Sequence, residues 1–516
     1  MVERGIDEKS GVEGLTYATD AVDIAVGEVA WALVRGALYA TAFVVPDFLN
    51  YLLAGGALSI VFIPIFAAYL ARGEETKGWR AFSAIASFVS VLLGVLTIFL
   101  WVGMPFLAPL IAPGFDAQQQ ARLVELTRIV LPAQLFHVVG GLLAAALQAR
   151  DKHGLAALAP LVYNALIILG GLIGGVAHGA EGFAWGVLAG SALGPFYLPW
   201  IGCRRSGMRW DFGLDLDHPD LRRYLGRSLP IMVGFSIVVV DDWLLRREGS
   251  LLGTGAVSAL AYAKKLMLVP VGIFGFAAGV AAYPTLARLA AAEKLAELRG
   301  TLVKTLRTIL LLALASQAYL MVASLPITVL VCGRRALEPA RIHEIAACLV
   351  FFAFGVLAWS AQGVLARGFY ALGNTWLPAI LGTLIALGAL PLYMLAGTSG
   401  TKALAGVSSV AILAYTLVLA TLLVRRLPKF ERAEWIELRT FAFRATAAFA
   451  VGWSAGVILV LLLPEPGTFI GAGIQACLFA LFVFGGFAVV GDKLGITEIR
   501  ELRELVLRKL GLASGV

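Results

Sequence analysis

Apolar runs of about twenty residues recur along almost the whole chain, each long enough to cross a bilayer as a helix. Read between their polar breaks, the first ones fall at Val22–Val44, Tyr51–Leu70, Phe82–Met104, Leu123–Leu147, Leu155–Val176, Phe183–Cys203 and Leu229–Leu245. Those that follow are Leu251–Leu286, Leu302–Val331, Ile345–Leu372, Leu377–Leu395, Ala403–Val424, Phe441–Leu463 and Phe469–Val490. The first is atypical, because Asp23 and Glu28 burden it. In hydrocarbon the backbone must satisfy its own hydrogen bonds, so runs of this length are expected as helices. The expected class is an all-α polytopic membrane protein with about 14 transmembrane helices. Composition agrees: 60% hydrophobic, only 14% charged and a mean hydropathy of +0.87 lie outside the soluble globular range.

The loops set an orientation. Arg72, Lys77 and Arg80, then Arg150 and Lys152, then Arg204, Arg205, Arg209, Arg222, Arg223 and Arg227 all fall on one side of this count. By the positive-inside rule that side is cytoplasmic, with both termini. The net charge of +8 then reads as topology facing anionic lipid and calls for no nucleic acid. The first twenty residues are polar and acidic, unlike a signal peptide. Cys203, Cys332, Cys348 and Cys477 are scattered, and no ligand spacing for a metal is present.

Two neighbouring lysines, Lys264 and Lys265, stand in the middle of the apolar segment Leu251–Leu286. A charge near the bilayer centre costs roughly 3 kcal/mol, so such residues are kept where they face water, an anion or a partner. Neighbours on a helix differ by about 100°, so the two cannot face one way. One is expected to line a polar cavity; the other is expected to pair with a carboxylate or a carbonyl, with Asp241 and Asp242 as possible charge partners. His137 sits in an apolar run, where a packed, hydrogen-bonded histidine is the commoner use than a proton relay. Pro64, Pro132, Pro270 and Pro284 interrupt helices, and Pro64, Pro270 and Pro284 are candidate hinges.

The chain also resembles itself. Ile63-Pro64 in SIVFIPIFAAYLARG returns as Tyr283-Pro284 in GVAAYPTLARLAAAE, and Ala149 returns more loosely as Ala371. Six expected spans separate the copies, and an even number keeps both in one orientation. Two parallel pseudo-symmetric six-helix lobes plus two C-terminal helices are therefore expected. The boundaries run as a cytoplasmic N-terminal tail at 1–20, an N-lobe at 21–203 and a linker at 204–228. A C-lobe follows at 229–426, then two spans at 439–490 and an amphipathic cytoplasmic tail at 491–516. The linker stretch DLDHPDLRRYL and the tail, with Ile499, Leu502, Val506 and Leu510 on one face, are expected as amphipathic helices on the membrane surface.

Taken together, PDFLNYLLAGGALSIVFIPIF and VVVDDWLLRREGSLLGTGAVSALAYAKKLMLVPVGIFGFAAG resemble the MurJ-type lipid II flippases of the multidrug/oligosaccharidyl-lipid/polysaccharide exporter superfamily. The resemblance spans about residues 40 to 490 and implies movement of undecaprenyl-diphosphate-linked peptidoglycan precursor (lipid II) across the bacterial inner membrane. It implies alternating access without ATP or a bound cofactor, drawing on a coupling ion or the membrane potential, in a chain expected as a monomer among membrane lipids. Within Tyr262-Ala263-Lys264-Lys265-Leu266, Lys265 holds the family's basic cavity slot, as a lysine in place of an arginine. Asn50 and Gly55 stand where the family pattern carries an arginine and a glutamate, and Ala37 to Ala40 read ALYA where the first helix carries other family elements. The candidate substrate-binding residues are Lys265, Lys264, Asn50, Arg367 and Arg35.

No Walker loop, HExxH or GxSxG is present, so a transporter is expected and not an enzyme. The alternatives left open are export of another polyprenyl-linked glycan, a non-transporting scaffold of the same fold, and a membrane-embedded glycosyl- or acyltransferase.

Overall fold

The computed structural model describes residues 36–54, 61–178, 180–234, 236–332 and 339–509. Arg35, with the rest of the expected first span from 22 to 34, lies outside the described residues. Helices follow one another in the order α1 (Gly36–Ala42), α2 (Val44–Ala54), α3 (Ile63–Ala71), α4 (Glu75–Ile111), α5 (Ala117–Val130), α6 (Ala133–Gln148), α7 (Gly154–His178) and α8 (Ala180–Ser191). A π-helical turn, Ala192–Tyr197, leads into α9 (Leu198–Arg205), then α10 (Pro219–Gly234), α11 (Ser236–Leu251) and α12 (Thr254–Pro270). A second π turn, Val271–Phe276, precedes α13 (Ala277–Ala291), α14 (Leu295–Val322), α15 (Ser324–Cys332), α16 (Pro339–Ala353) and α17 (Val356–Ala371). The chain continues through α18 (Trp376–Gly397), α19 (Thr401–Arg426), α20 (Arg432–Leu462), α21 (Phe469–Lys493) and α22 (Thr497–Lys509).

No strand occurs among the described residues. Nine of their helices are long and apolar enough to cross a membrane, or ten if α16 and α17, bent by 45°, form one span. Packing divides the chain after Ala261. One unit runs up to that residue and includes Thr375–Leu404; the other holds Tyr262–Asn374 and Ala405 onward. The lobe boundaries expected from the linker follow loop charge, whereas packing places α18 with the first unit.

In the first unit the long helix α4 carries Pro105 and Pro109 inside it. Pro105 has no N–H to give the carbonyl four residues earlier, that of Trp101. Arg128 supplies the missing donor: its Nε lies 2.9 Å from that oxygen, and its guanidinium sits 4.4 Å above the Trp101 ring. α7 and α8 cross on glycines. A Cβ on Gly170 would stand 2.7 Å from Gly186 Cα, and one on Gly174 would stand 2.8 Å from Gly182 Cα. Where hydrophobic burial gives no drive between helices, such close backbone approach supplies the contact. The inner core of this unit is aromatic, with Phe62, Phe66, Trp79 and Phe82 packed edge to face and stacked.

The linker differs from its expectation. Its helix, α10, turns Asp220, Leu221 and Tyr224 inward, where they are buried, and the Tyr69 hydroxyl donates to Asp220 at 2.6 Å. Burial pushes the Tyr224 phenol up to about 12, so it stays neutral. Polar groups in the preceding non-helical stretch tie down in the same way, with Trp210 Nε1 donating to Ser87 Oγ at 3.2 Å.

In the second unit the bend between α16 and α17 frees helix carbonyls. Ser409 of α19 donates to the Phe351 carbonyl at 2.8 Å. The tail helix is likewise held by protein. Ile496 and Ile499 are buried with Leu311, Phe441 and Phe487, and Leu510 lies outside the described residues. Arg307 of α14 joins three helices: it pairs with Glu437 and with the buried Glu498 at 2.6 Å, and lies 4.6 Å over the Phe441 ring.

Removing one partner of a buried ion pair strands the other at roughly 3–5 kcal/mol. Arg307→Met should therefore lower the melting temperature and open the chain to protease between Lys493 and Thr497. An unchanged melting curve with an uncut tail would show that the clasp carries no load.

Candidate functional site

Lys264 and Lys265 occupy the third and fourth turns of α12. Lys264 is 6% exposed, and its ammonium lies 5.5 Å from the centroid of the Trp359 ring, itself buried. An aromatic face offers negative charge without bringing a second ion into the membrane, and a desolvated pair of this kind contributes about 2 kcal/mol. Lys265 lies about 100° further round the helix and is half-buried. Of the two it is the less enclosed side chain.

Trp359 belongs to α17, which brings two more polar groups into the same unit. Ser360, next in sequence, is buried with no hydrogen-bond partner for its hydroxyl among the described residues. Arg367 follows seven residues, or about two turns, later on the same face. Its Nη1 donates to the Gly363 carbonyl at 3.1 Å, and it is within electrostatic reach of Tyr283 and Tyr370. Two glycines make room for this face. A Cβ on Gly275 would stand 2.8 Å from Ser360 Cα, and one on Gly279 would collide with Arg367 Nη1. The spacing Gly275-x-x-x-Gly279 thus holds the π turn and α13 tightly against α17. It also leaves the notch that the guanidinium fills.

The first unit holds the other expected residues. Asn50 is half-buried on α2, one turn from Asp47, whose carboxylate is 3.9 Å from Arg246. Asp241 is buried and accepts a hydrogen bond from the Tyr393 hydroxyl of α18. Asp242 beside it is half-buried. His137 is packed and hydrogen-bonded: Ser191 Oγ gives its proton to the Val187 carbonyl at 2.6 Å and lies 2.9 Å from His137 Nε2. A hydroxyl whose proton is used must accept, which fixes the proton on Nε2. Tyr163 meets the imidazole edge-on at 5.1 Å.

Pro64 opens α3 within its first two positions. Pro270 ends α12 just ahead of the π turn, and Pro284 lies within α13. Of the four cysteines, Cys203, Cys332 and Cys348 are buried and Cys477 is exposed. Among the described residues no three His, Cys, Asp or Glu side chains converge as metal ligands would.

The sequence reading missed Trp359, Ser360, Tyr393 and the Gly279 notch. The four-residue glycine spacing and the seven-residue step from Ser360 to Arg367 were the signals that could have found two of them. The Trp359 contact bridges 95 residues of chain, and no local pattern announces it.

These are features of a polytopic helical transporter, with charged groups held inside apolar helices and π turns and prolines beside them. Comparison narrows the class. The profile of the family described as lipid II flippase MurJ matches residues 32–465, and the chain belongs to that family. It is 26% identical over 473 residues to a probable lipid II flippase MurJ of Rhizobium meliloti, covering 88% of each chain. It is 27% identical over 340 residues to the lipid II flippase MurJ of Burkholderia cenocepacia, covering 64% of this chain and 65% of that one. Among solved structures it superposes on a lipid II flippase MurJ in an inward closed conformation with a TM-score of 0.70, at 19% identity, over 93% of this chain and 97% of the other. An inward-facing multidrug resistance transporter of the MATE family shares the fold at a TM-score of 0.64 and 13% identity, over 79% and 94%.

If the notch positions Arg367, adding a methyl at position 279 should act through that arginine. Gly279→Ala and Arg367→Ala should each reduce activity roughly tenfold, the loss of one charge contact in a partly dry site. The double variant should then be no worse than Arg367→Ala alone. Additive losses in a transport assay would separate the two residues.

Proposed function

We propose that this chain is a lipid II flippase, carrying undecaprenyl-diphosphate-linked peptidoglycan precursor across the cytoplasmic membrane by alternating access. The family match over most of the chain supports this, and the observation that carries the mechanism is the unequal lysine pair. Lys264, over Trp359, is held as structure, and the half-buried Lys265 is the less enclosed of the two ammonium groups and the one that meets the diphosphate. In surroundings drier than water that attraction is several-fold stronger than in bulk. Lys265 therefore recognises the diphosphate, with Arg367 as a second basic group and Asn50 and Arg35 as further contacts in the first half. With Asn50 neutral where the family pattern carries an arginine, more of the recognition falls on Lys265.

The finer architecture in this reading is fourteen spans, two parallel six-helix lobes and two added helices, with both termini cytoplasmic. Pro64, Pro270 and Pro284 act as hinges, and the π turn after Pro270 supports that role, because wider turns leave carbonyls without helical partners and bend more easily. The protein works as a monomer, moves its substrate without covalent chemistry and draws on an ion gradient or the membrane potential.

The chain should rescue bacteria depleted of their own lipid II flippase. Lys265→Ala should fail and Lys265→Arg should succeed at equal expression, since the arginine restores the charge. Rescue by the alanine variant would remove Lys265 from substrate recognition.

A further inference from the structure

The stretch between α9 and α10 leaves three large apolar side chains uncovered. Phe212, Leu214 and Leu216 are 68%, 54% and 57% exposed. From Trp210 to Asp215 the chain is in no helix. In an extended chain alternate residues share a face, which sets Phe212 and Leu214 on one side and Gly213 on the other, with Leu216 in the turn that follows. A row of this kind in contact with water is unfavourable at about 25 cal/mol per Å² of apolar surface.

The anchor points of this stretch fix its level. Trp210 donates to Ser87 of α4, and Asp211 N donates to Ser83 Oγ at 3.3 Å. Between Arg80 and Asp116 the chain carries no charged residue. Residues 82–111 of α4 measure about 45 Å at the helical rise, which matches a bilayer including both headgroup zones. Ser83 and Ser87 lie at one end of that length, within a headgroup zone, and so does the stretch attached to them. Near it in sequence four arginines, Arg204, Arg205, Arg209 and Arg227, are exposed against two exposed acids, Asp211 and Asp215, while Asp217 is engaged by Arg222 at 2.7 Å.

We propose that Phe212–Leu216 is a membrane peg, which inserts Phe212, Leu214 and Leu216 among the headgroups of anionic phospholipids while the neighbouring arginines bind their phosphates. Apolar side chains beside exposed arginines suit that surface, since the burial and the charge attraction act together. The proposed orientation enters only in naming the leaflet as the cytoplasmic one; the depth along α4 holds either way.

The test uses the full-length protein in nanodiscs with a Cys477→Ser background, the other three cysteines being buried. An environment-sensitive dye is attached at Phe212→Cys, Leu214→Cys or Gly213→Cys; a Cβ at Gly213 meets nothing within 4 Å. Spin-labelled lipids should quench positions 212 and 214 at least about twofold more than position 213, following the alternation of an extended chain. Replacing phosphatidylglycerol by phosphatidylcholine should weaken that quenching. Equal, water-like emission at all three positions in the anionic discs would overturn the peg and leave the row as a surface for another protein. Labelling Arg205→Cys in intact cells with an impermeant reagent tests the orientation separately.

Discussion

Carbonyls and charges inside the hydrocarbon are costly without a partner, and supplying those partners from protein organises much of this molecule. Prolines and bends open carbonyls that the helix cannot satisfy, and two of them are answered from a neighbouring helix. Arg128 reaches the Trp101 carbonyl beside Pro105, and Ser409 reaches that of Phe351 at the bend before α17. Lys264 finds the face of Trp359. Each answer ties two helices together at a fixed height, so the departures from regular helix also register the bundle.

The same requirement separates the two lysines. A charge that is fully enclosed by its own protein is satisfied and has little left to offer a ligand. A charge that is only half-buried can still be reached by water or an anion. Adjacent positions on one helix provide both cases, because the turn of about 100° sends them to different surroundings. A glycine notch at position 279 does for Arg367 what the aromatic ring does for Lys264: it sets the direction of a long, flexible cation.

Much of this was legible in the sequence. Apolar length points to a polytopic helical protein, and nine or ten of the described helices are long and apolar enough to cross a membrane, against the fourteen spans expected. The lysine pair stands out because its cost there is large. The linker and the tail were harder to read. Their amphipathic patterns state only that one face is apolar, and protein or lipid can cover such a face equally well. In α10 the covered face includes Asp220 and Tyr224, and in the tail it includes Ile499, both turned to protein. The π turns at Ala192–Tyr197 and Val271–Phe276 were also unannounced; Pro195 lies within the first and Pro270 just before the second, and proline marks an interruption without telling its kind.

The central claim is that this chain uses a lysine-based cationic site to move a diphosphate-linked lipid between leaflets. Its most direct test is translocation itself, with purified protein in liposomes carrying fluorescent lipid II and an impermeant reductant added outside. Dye initially protected in the inner leaflet should become reducible, at a rate that rises with the amount of protein and is suppressed by excess unlabelled lipid II. Folded protein that leaves the protected fraction unchanged, under an imposed ion gradient and membrane potential, would contradict the claim.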